Sequence, residues 1–466
     1  MRDLRGLFLI LILCLLTLYP GQGMGQTPVS ESAQESSEPM VFQSSPFGLH
    51  NVQGEFEEVR NLGVEYVRAI VRWQNVEPRP GRYRFQKGDG IVRKAQDYGI
   101  NLVVTLRPLS RWGGKRIKEQ TRKAPKSGYP RRMDAWLKMV EAIVERYDGD
   151  GFHDMPGLRR PIKFWQVENE WLWQWVDTPE AYLTFLQKTS SAIKRADPEA
   201  RVIAGAIGGL PMAVAEGVGN KDYITVGGTD KGKRKVYVSQ YIKTREYREG
   251  KRKIELMLRE GSRYFDIIDF HSYTEDPYDI AIVLKWLQKK MREYGYSKEI
   301  WSLENAGPFF NFSEERFAID VVRRHVIGFS NGLGRLFWSS LKPTLLWSDN
   351  YVRLALIDQY GNKSAAYYTY KLMTHKLHGL ESIARISAPI GISAYQAKKK
   401  SGQTIYVFWS ESGTHTYSFS TTARDVMLTH IITNKEQTNP KVERIEVKNG
   451  RVDLTISSPV FLEELM

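Results

Sequence analysis

From Pro46 to Gly379 short apolar runs alternate with longer amphipathic stretches, and that alternation limits what this chain can fold into. Parallel strands covered by helices on both faces read as continuous runs of branched and aromatic residues. Eight such runs are present: Phe47–His50, Tyr66–Val71, Leu102–Leu106, Ile162–Val167, Val202–Ala206, Ile267–Phe270, Ile300–Leu303 and Arg335–Trp338. Between them Phe56–Leu62, Gly90–Tyr98, Ala135–Tyr147, Ala181–Ala196, Ile280–Tyr294 and Glu315–Phe329 carry the helical period. Thr178-Pro179-Glu180 and Ser313-Glu314-Glu315 set capping residues before acidic first turns. Gly63, Gly99 and Gly295 stand where helices should end. The spacing predicts an α/β chain whose residues 46–379 form a (β/α)8 TIM barrel. The rival, an open doubly wound sheet, would carry a glycine-rich phosphate turn after its first strand, and Phe47-Gly48-Leu49-His50-Asn51-Val52-Gln53-Gly54 is not one.

After Gly379 the helical period stops. Ile386–Ala397, Thr404–Trp409, Thr416–Ser420, Val426–Thr433, Val442–Val447 and Val452–Ile456 are short alternating runs. Lys448-Asn449-Gly450-Arg451 suits a tight hairpin turn, because Asn-Gly tolerates positive φ at both central positions. Residues 380–466 are expected to form a small antiparallel β-sandwich.

Residues 1–25 have Arg2 and Arg5 ahead of an apolar run to Tyr19, then small residues at Gly21, Gly23 and Gly25. This is the pattern of a secretory signal peptide, and it predicts a secreted or periplasmic protein. The run is short for a membrane-spanning helix, so no stable span is expected; an uncleaved anchor is the alternative. Residues 26–45, rich in Ser, Glu, Gln and Pro, read as a flexible linker. Cys14 is the single cysteine and lies in the leader, which excludes cysteine nucleophiles, disulfides and thiolate metal sites from the rest. No His, Asp and Glu grouping has metal-ligand spacing, so neither metal nor cofactor is expected.

Two strand ends carry the chemistry. Phe164-Trp165-Gln166-Val167-Glu168-Asn169-Glu170 ends the fourth run and Ile300-Trp301-Ser302-Leu303-Glu304 the seventh. Barrel enzymes place reacting groups at the C-terminal ends of their strands, and glycoside hydrolysis requires a pair of carboxyl groups. With these motifs the chain resembles the clan A retaining glycoside hydrolases, most nearly those of family 39. Gly63-Val64-Glu65-Tyr66-Val67-Arg68, Trp73-Gln74-Asn75-Val76-Glu77-Pro78, Asp269-Phe270-His271-Ser272-Tyr273 and Phe337-Trp338 are similar to their second, sixth and eighth strand regions.

The resemblance implies a glycosidase with Glu170 as acid/base and Glu304 as nucleophile, acting on a poly- or oligosaccharide. It implies that Arg68 and Tyr273 hold the nucleophile, that Asn169 meets a sugar hydroxyl, that His271 orients Glu170 or binds a hydroxyl, and that Trp338 stacks under the sugar. Glu168, two residues from Glu170, is a rival for the acid. Trp171, Trp173 and Trp175 suit sugar stacking or core anchoring equally.

The net charge is +14. No nucleic-acid motif accompanies it. Basic residues concentrate after the third strand and between the fifth and sixth, which fits either a solvated face or a cleft for an anionic glycan, with Arg107 as the expected grip. A catalytically silent glycan-binding barrel is the alternative to an enzyme.

Overall fold

The computed structural model describes residues 40–118, 120, 125–226, 234–308, 312–343 and 353–465. The expected leader and most of the linker lie outside the described residues.

Eight parallel strands close on themselves: β1 (Phe47–His50), β2 (Tyr66–Arg72), β3 (Asn101–Arg107), β4 (Phe164–Val167), β5 (Arg201–Ala204), β6 (Ile267–Ser272), β7 (Glu299–Asn305) and β8 (Leu333–Ser339). β8 pairs with β1 from Phe47↔Leu336 to His50↔Ser339, which completes the (β/α)8 barrel. Tyr66, Val103, Ile203, Ile267, Trp301, Leu303 and Phe337 form a buried cluster of their own, separate from the layer under the helices. Gly48 leaves room for this filling, since a Cβ there would lie 2.5 Å from the Phe337 ring.

At the N-terminal mouth the Arg335 guanidinium lies 3.9 Å from the Tyr66 ring and 4.3 Å from that of Trp301, and donates to Ser44 Oγ and Ser45 O. Ser44 and Ser45, expected in the linker, thus contact the barrel. Phe42 is buried against Phe329, and its N–H bonds Glu381 O, because an aromatic side chain beside the barrel floor gains more by burial than by solvation.

The helices follow from capping and periodicity. Pro179–Ala196 starts on Thr178, whose hydroxyl accepts from Ala181 N, and buries Tyr182, Phe185, Leu186, Thr189 and Ile193 along one stripe. Gly63, Gly99 and Gly295 have φ of 69°, 73° and 77°, the left-handed conformation that closes a helix at little steric cost to glycine.

The C-terminal part holds β9 (Leu380–Ile386), β10 (Ile392–Lys399), β11 (Thr404–Ser410), β12 (His415–Ser420), β13 (Asp425–His430), β14 (Val442–Glu446), β15 (Arg451–Ile456) and β16 (Val460–Leu465). They form one sheet in the order β9-β10-β11-β16-β13-β14 and a second of β12 and β15, all antiparallel. The expected run Ile386–Ala397 is two strands, broken at Gly391 with φ 91°. Asn449 and Gly450 both have positive φ, as expected, yet β14 and β15 belong to different sheets and the turn carries the chain between them.

Tyr395, Val407, Trp409, Ile431 and Phe461 share the barrel's outer core. Arg323 donates to Ser410 O at 2.5 Å and Thr369 to Ile432 O at 2.6 Å, so the sheets are fastened to the helices Glu314–Ser330 and Ala365–Lys376. Among the described residues no helix is long and apolar enough to cross a membrane.

Candidate active site

Side chains from β2, β3, β4, β6, β7 and β8 converge at the C-terminal mouth of the barrel. Arg68, pointing inward from β2, donates to Glu304 Oε1 at 2.5 Å, to Thr105 Oγ1 at 2.9 Å, to Gln166 Oε1 at 2.7 Å and to Asn169 Oδ1 at 2.5 Å. Gln166 passes the network on, donating to Asp269 Oδ2 at 2.6 Å. Asp269 Oδ2 lies 3.1 Å from His271 Nε2, and His271 Nδ1 lies 3.0 Å from Glu170 Oε1 and 3.6 Å from Glu304 Oε2. Tyr273 donates to Glu304 Oε2 at 2.6 Å, with Ser339 Oγ 2.9 Å from its oxygen. One oxygen each of Glu170 and Glu304 lie within 4.8 Å of one another.

The charges sort themselves by surroundings. Burial alone would raise the Glu304 pKa, but His271, His50, Arg68 and the Tyr273 hydroxyl outweigh it and hold this carboxyl well below the usual range. Burial would likewise discharge His271, yet Glu304, Asp269 and Glu170 raise its pKa to about 10, so it stands as an imidazolium at neutral pH. His50, at the end of β1, goes the other way: burial, against the pull of Glu304 and with the push of Arg68, lowers it to about 3. Its Nε2 is 3.7 Å from Glu304 Oε1, so a buried, neutral imidazole stands beside the nucleophile.

Glu168 is not an acid facing the pocket. β4 ends at Val167, and Glu168 has φ 69°, a conformation that costs a non-glycine residue about 1–3 kcal/mol. Its carboxylate is fully buried and holds that turn by accepting from Arg107 Nε at 2.6 Å, Ser127 Oγ at 2.6 Å and Asn169 N at 2.9 Å. The turn breaks strand alternation and sends Asn169 and Glu170 into the mouth. Arg107 is thereby spent: it is buried, bound to Glu168 and to Pro125 O, and offers no grip to a glycan.

Trp338 also departs from expectation. It is fully buried, donates to Leu354 O and packs beside Phe317 and His325 on the outer helix layer. Successive strand residues face opposite sides, so it is Ser339 that faces Tyr273. Trp171 lies stacked on Tyr182 at 4.2 Å and Trp175 is buried beside Phe185, both core anchors. Trp173 alone of the three is open, 53% exposed on the short helix Trp171–Gln174 that follows Glu170.

The sequence pointed to Glu170, Glu304, Arg68, Asn169, His271 and Tyr273, and the fold brings all six together. It also adds His50, Thr105, Gln166 and Ser339. Gln166 and Thr105 were detectable in principle, as polar residues inside apolar runs.

The second basic stretch, between the fifth and sixth strands, is largely helical. From Arg245 to Glu260 it is a helix, where Arg245 pairs with Glu249, Lys251 with Glu216 and Arg252 with Glu180.

Spacing in the sequence revealed no metal ligands, but Glu170, His271 and Glu304 each present one ligand atom within 4.8 Å of the others. A divalent ion would have to strip the proton from His271 and compete with Arg68 for Glu304, so the donor set already has its positive charge. Asp148, Asp150 and Asp154 form a second acidic group, in the loop after the helix Met133–Glu145; their oxygens accept from the loop's own N–H groups.

No protein-family model matches the sequence, and no curated protein matches it. Solved structures do resemble it. A family 39 glycoside hydrolase from the gut symbiont Bacteroides cellulosilyticus WH2 superposes with a TM-score of 0.63 at 14% identity, over 90% of this chain and 81% of that one. A monomeric β-xylosidase from Caulobacter crescentus CB15 gives 0.61 at 13%, over 92% and 98%. A family 30 subfamily 8 xylanase from Clostridium acetobutylicum gives 0.57 at 12%, over 92% and 97%. At these identities the likeness is one of fold, and it spans the barrel and the sheets after it.

Proposed function

We propose that this chain is an exported retaining glycoside hydrolase that cleaves O-glycosidic bonds of a poly- or oligosaccharide by double displacement. The observation that carries the reading is the approach of Glu170 and Glu304 to within 4.8 Å. Oxygens this close suit the separation of about 5–5.5 Å typical of retaining enzymes. The solved structures named above, a xylosidase and a xylanase among them, support it through the shared barrel.

Glu304 is the nucleophile. Arg68 and Tyr273 hold its two oxygens, and its low pKa keeps it ionised. As an oxygen of Glu304 bonds the anomeric carbon, the glycosidic C–O bond breaks and its electron pair leaves with the departing oxygen. Glu170 gives that oxygen a proton, one shared across the 3.0 Å contact with His271 Nδ1. Once Glu304 is esterified its charge is gone, and His271 loses one of the carboxylates that favour its cation. Glu170 then takes a proton from water, whose oxygen displaces Glu304 and restores it. Asn169, held by Arg68, has its Nδ2 only 3.5 Å from Gln174 and is placed to donate to a sugar hydroxyl.

Export is supported by the leader-like residues 1–25, and the charge of +14 favours an acidic glycan over a neutral one. Trapping with a mechanism-based fluorinated glycoside tests the reading: the added mass should sit on Glu304. Glycan binding without any trapping or turnover would mean a silent barrel instead. Glu170→Gln should slow poor leaving groups by about 10²–10⁴-fold and spare activated aryl ones; Glu304→Gln should fail on both.

A further inference from the structure

With Arg107 consumed by Glu168, an acidic group on the substrate would need another partner, and among the described residues the Arg72 guanidinium at the mouth has no anion. Arg72 ends β2, its Cα in register with that of Arg107. It shares the inward face of the strand with Arg68, since alternate residues point the same way. Ile70, between them on that face, is 38% exposed, so the wall above Arg68 is open to solvent. Arg72 itself is only partly exposed. Among the described residues its guanidinium has neither a hydrogen-bond partner nor an ion-pair partner. Partial burial and the like charge of Arg107 disfavour its cation, and no carboxylate offsets them. Holding a guanidinium this way has a cost that an incoming anion would remove.

We propose that Arg72 is the anion-binding group of a substrate subsite, taking a carboxylate or sulfate in a two-pronged hydrogen bond. This rests on the glycosidase reading. Arg72 lies four positions along the strand from Arg68, about 13 Å between Cα atoms, whereas Arg68 touches the nucleophile. The acidic group therefore belongs to a sugar at the mouth and not to the one being cleaved.

The test compares wild type, Arg72→Gln and Arg72→Lys on neutral oligosaccharides and on uronate-bearing and sulfated counterparts of the same linkage. Arg159→Gln, an exposed residue paired with Asp97, controls for lost charge. The expected result is a ratio of kcat/KM, acidic over neutral, that falls at least tenfold in Arg72→Gln, falls less in Arg72→Lys and stays at the wild-type value in Arg159→Gln. The arm that loses more, uronate or sulfate, names the ligand. A ratio unchanged in Arg72→Gln, or lowered equally in Arg159→Gln, overturns the subsite and leaves the glycosidase standing. Wild type inactive on every arm overturns the glycosidase reading, and the subsite with it.

Discussion

Tyr273 donates its phenol to Glu304 Oε2 at 2.6 Å from the chain just beyond β6, so a residue of one strand end holds the carboxylate of the next. A hydrogen bond to a charged group contributes about 1.5–3 kcal/mol. Tyr273→Phe should therefore lower kcat/KM by about 10–150-fold, with a loss of a few degrees in melting temperature. Undiminished turnover would remove Tyr273 from the account of the nucleophile.

The His271 cation links stability to pH. Its pKa is raised on folding, from 6.5 to about 10, so its contribution is complete below pH 6.5 and is lost as pH climbs through about 10. The denaturation midpoint of wild type should fall across that alkaline window, and that of His271→Gln should fall less. Parallel curves for the two proteins would show that the imidazole is neutral in the folded state.

Arg107 and Glu168 form a buried pair under the turn that presents Asn169 and Glu170. Arg107→Met leaves the Glu168 carboxylate buried without its cation, a loss of about 3–5 kcal/mol. Activity should drop as well, because the left-handed turn at Glu168 relaxes. Chemical denaturation together with leaving-group dependence reads both effects. A variant as stable as wild type contradicts the anchoring role.

Trp173 is the open aromatic beside the acid, and its ring edge lies near Gly208, where a Cβ would come within 3.1 Å of it. Stacking on sugar past the cleaved bond should make Trp173→Ala raise KM on oligosaccharides with little change in kcat on an aryl glycoside. If both substrates respond alike, the indole serves the fold and not the glycan.

Much of this was legible in the residues. Eight continuous apolar runs with helical stretches between them indicate a barrel, and a barrel leaves its strand ends as the place for polar groups, so Glu170 and Glu304 could be found without coordinates. Arg68, His271 and Tyr273 were reached only through the likeness of the second and sixth strand regions to those of clan A enzymes, because Arg68 lies inside the apolar run Tyr66–Val71 and nothing in its spacing marks it.

The failures share one cause. Whether Trp338 or Ser339 faces the pocket depends on a one-residue register, and an apolar run buried on both faces carries no alternation to reveal it. Whether Arg107 is free depends on Glu168, 61 residues away, and whether Glu168 faces the pocket depends on a backbone angle at a single position. Linear order thus determined the architecture and the chemical types gathered at its mouth, because burial periodicity is a local property of the chain. Tertiary structure alone decided which of those charges neutralise one another and which, like Arg72, keep their charge unanswered, because ion pairs form across strands that sequence distance does not relate.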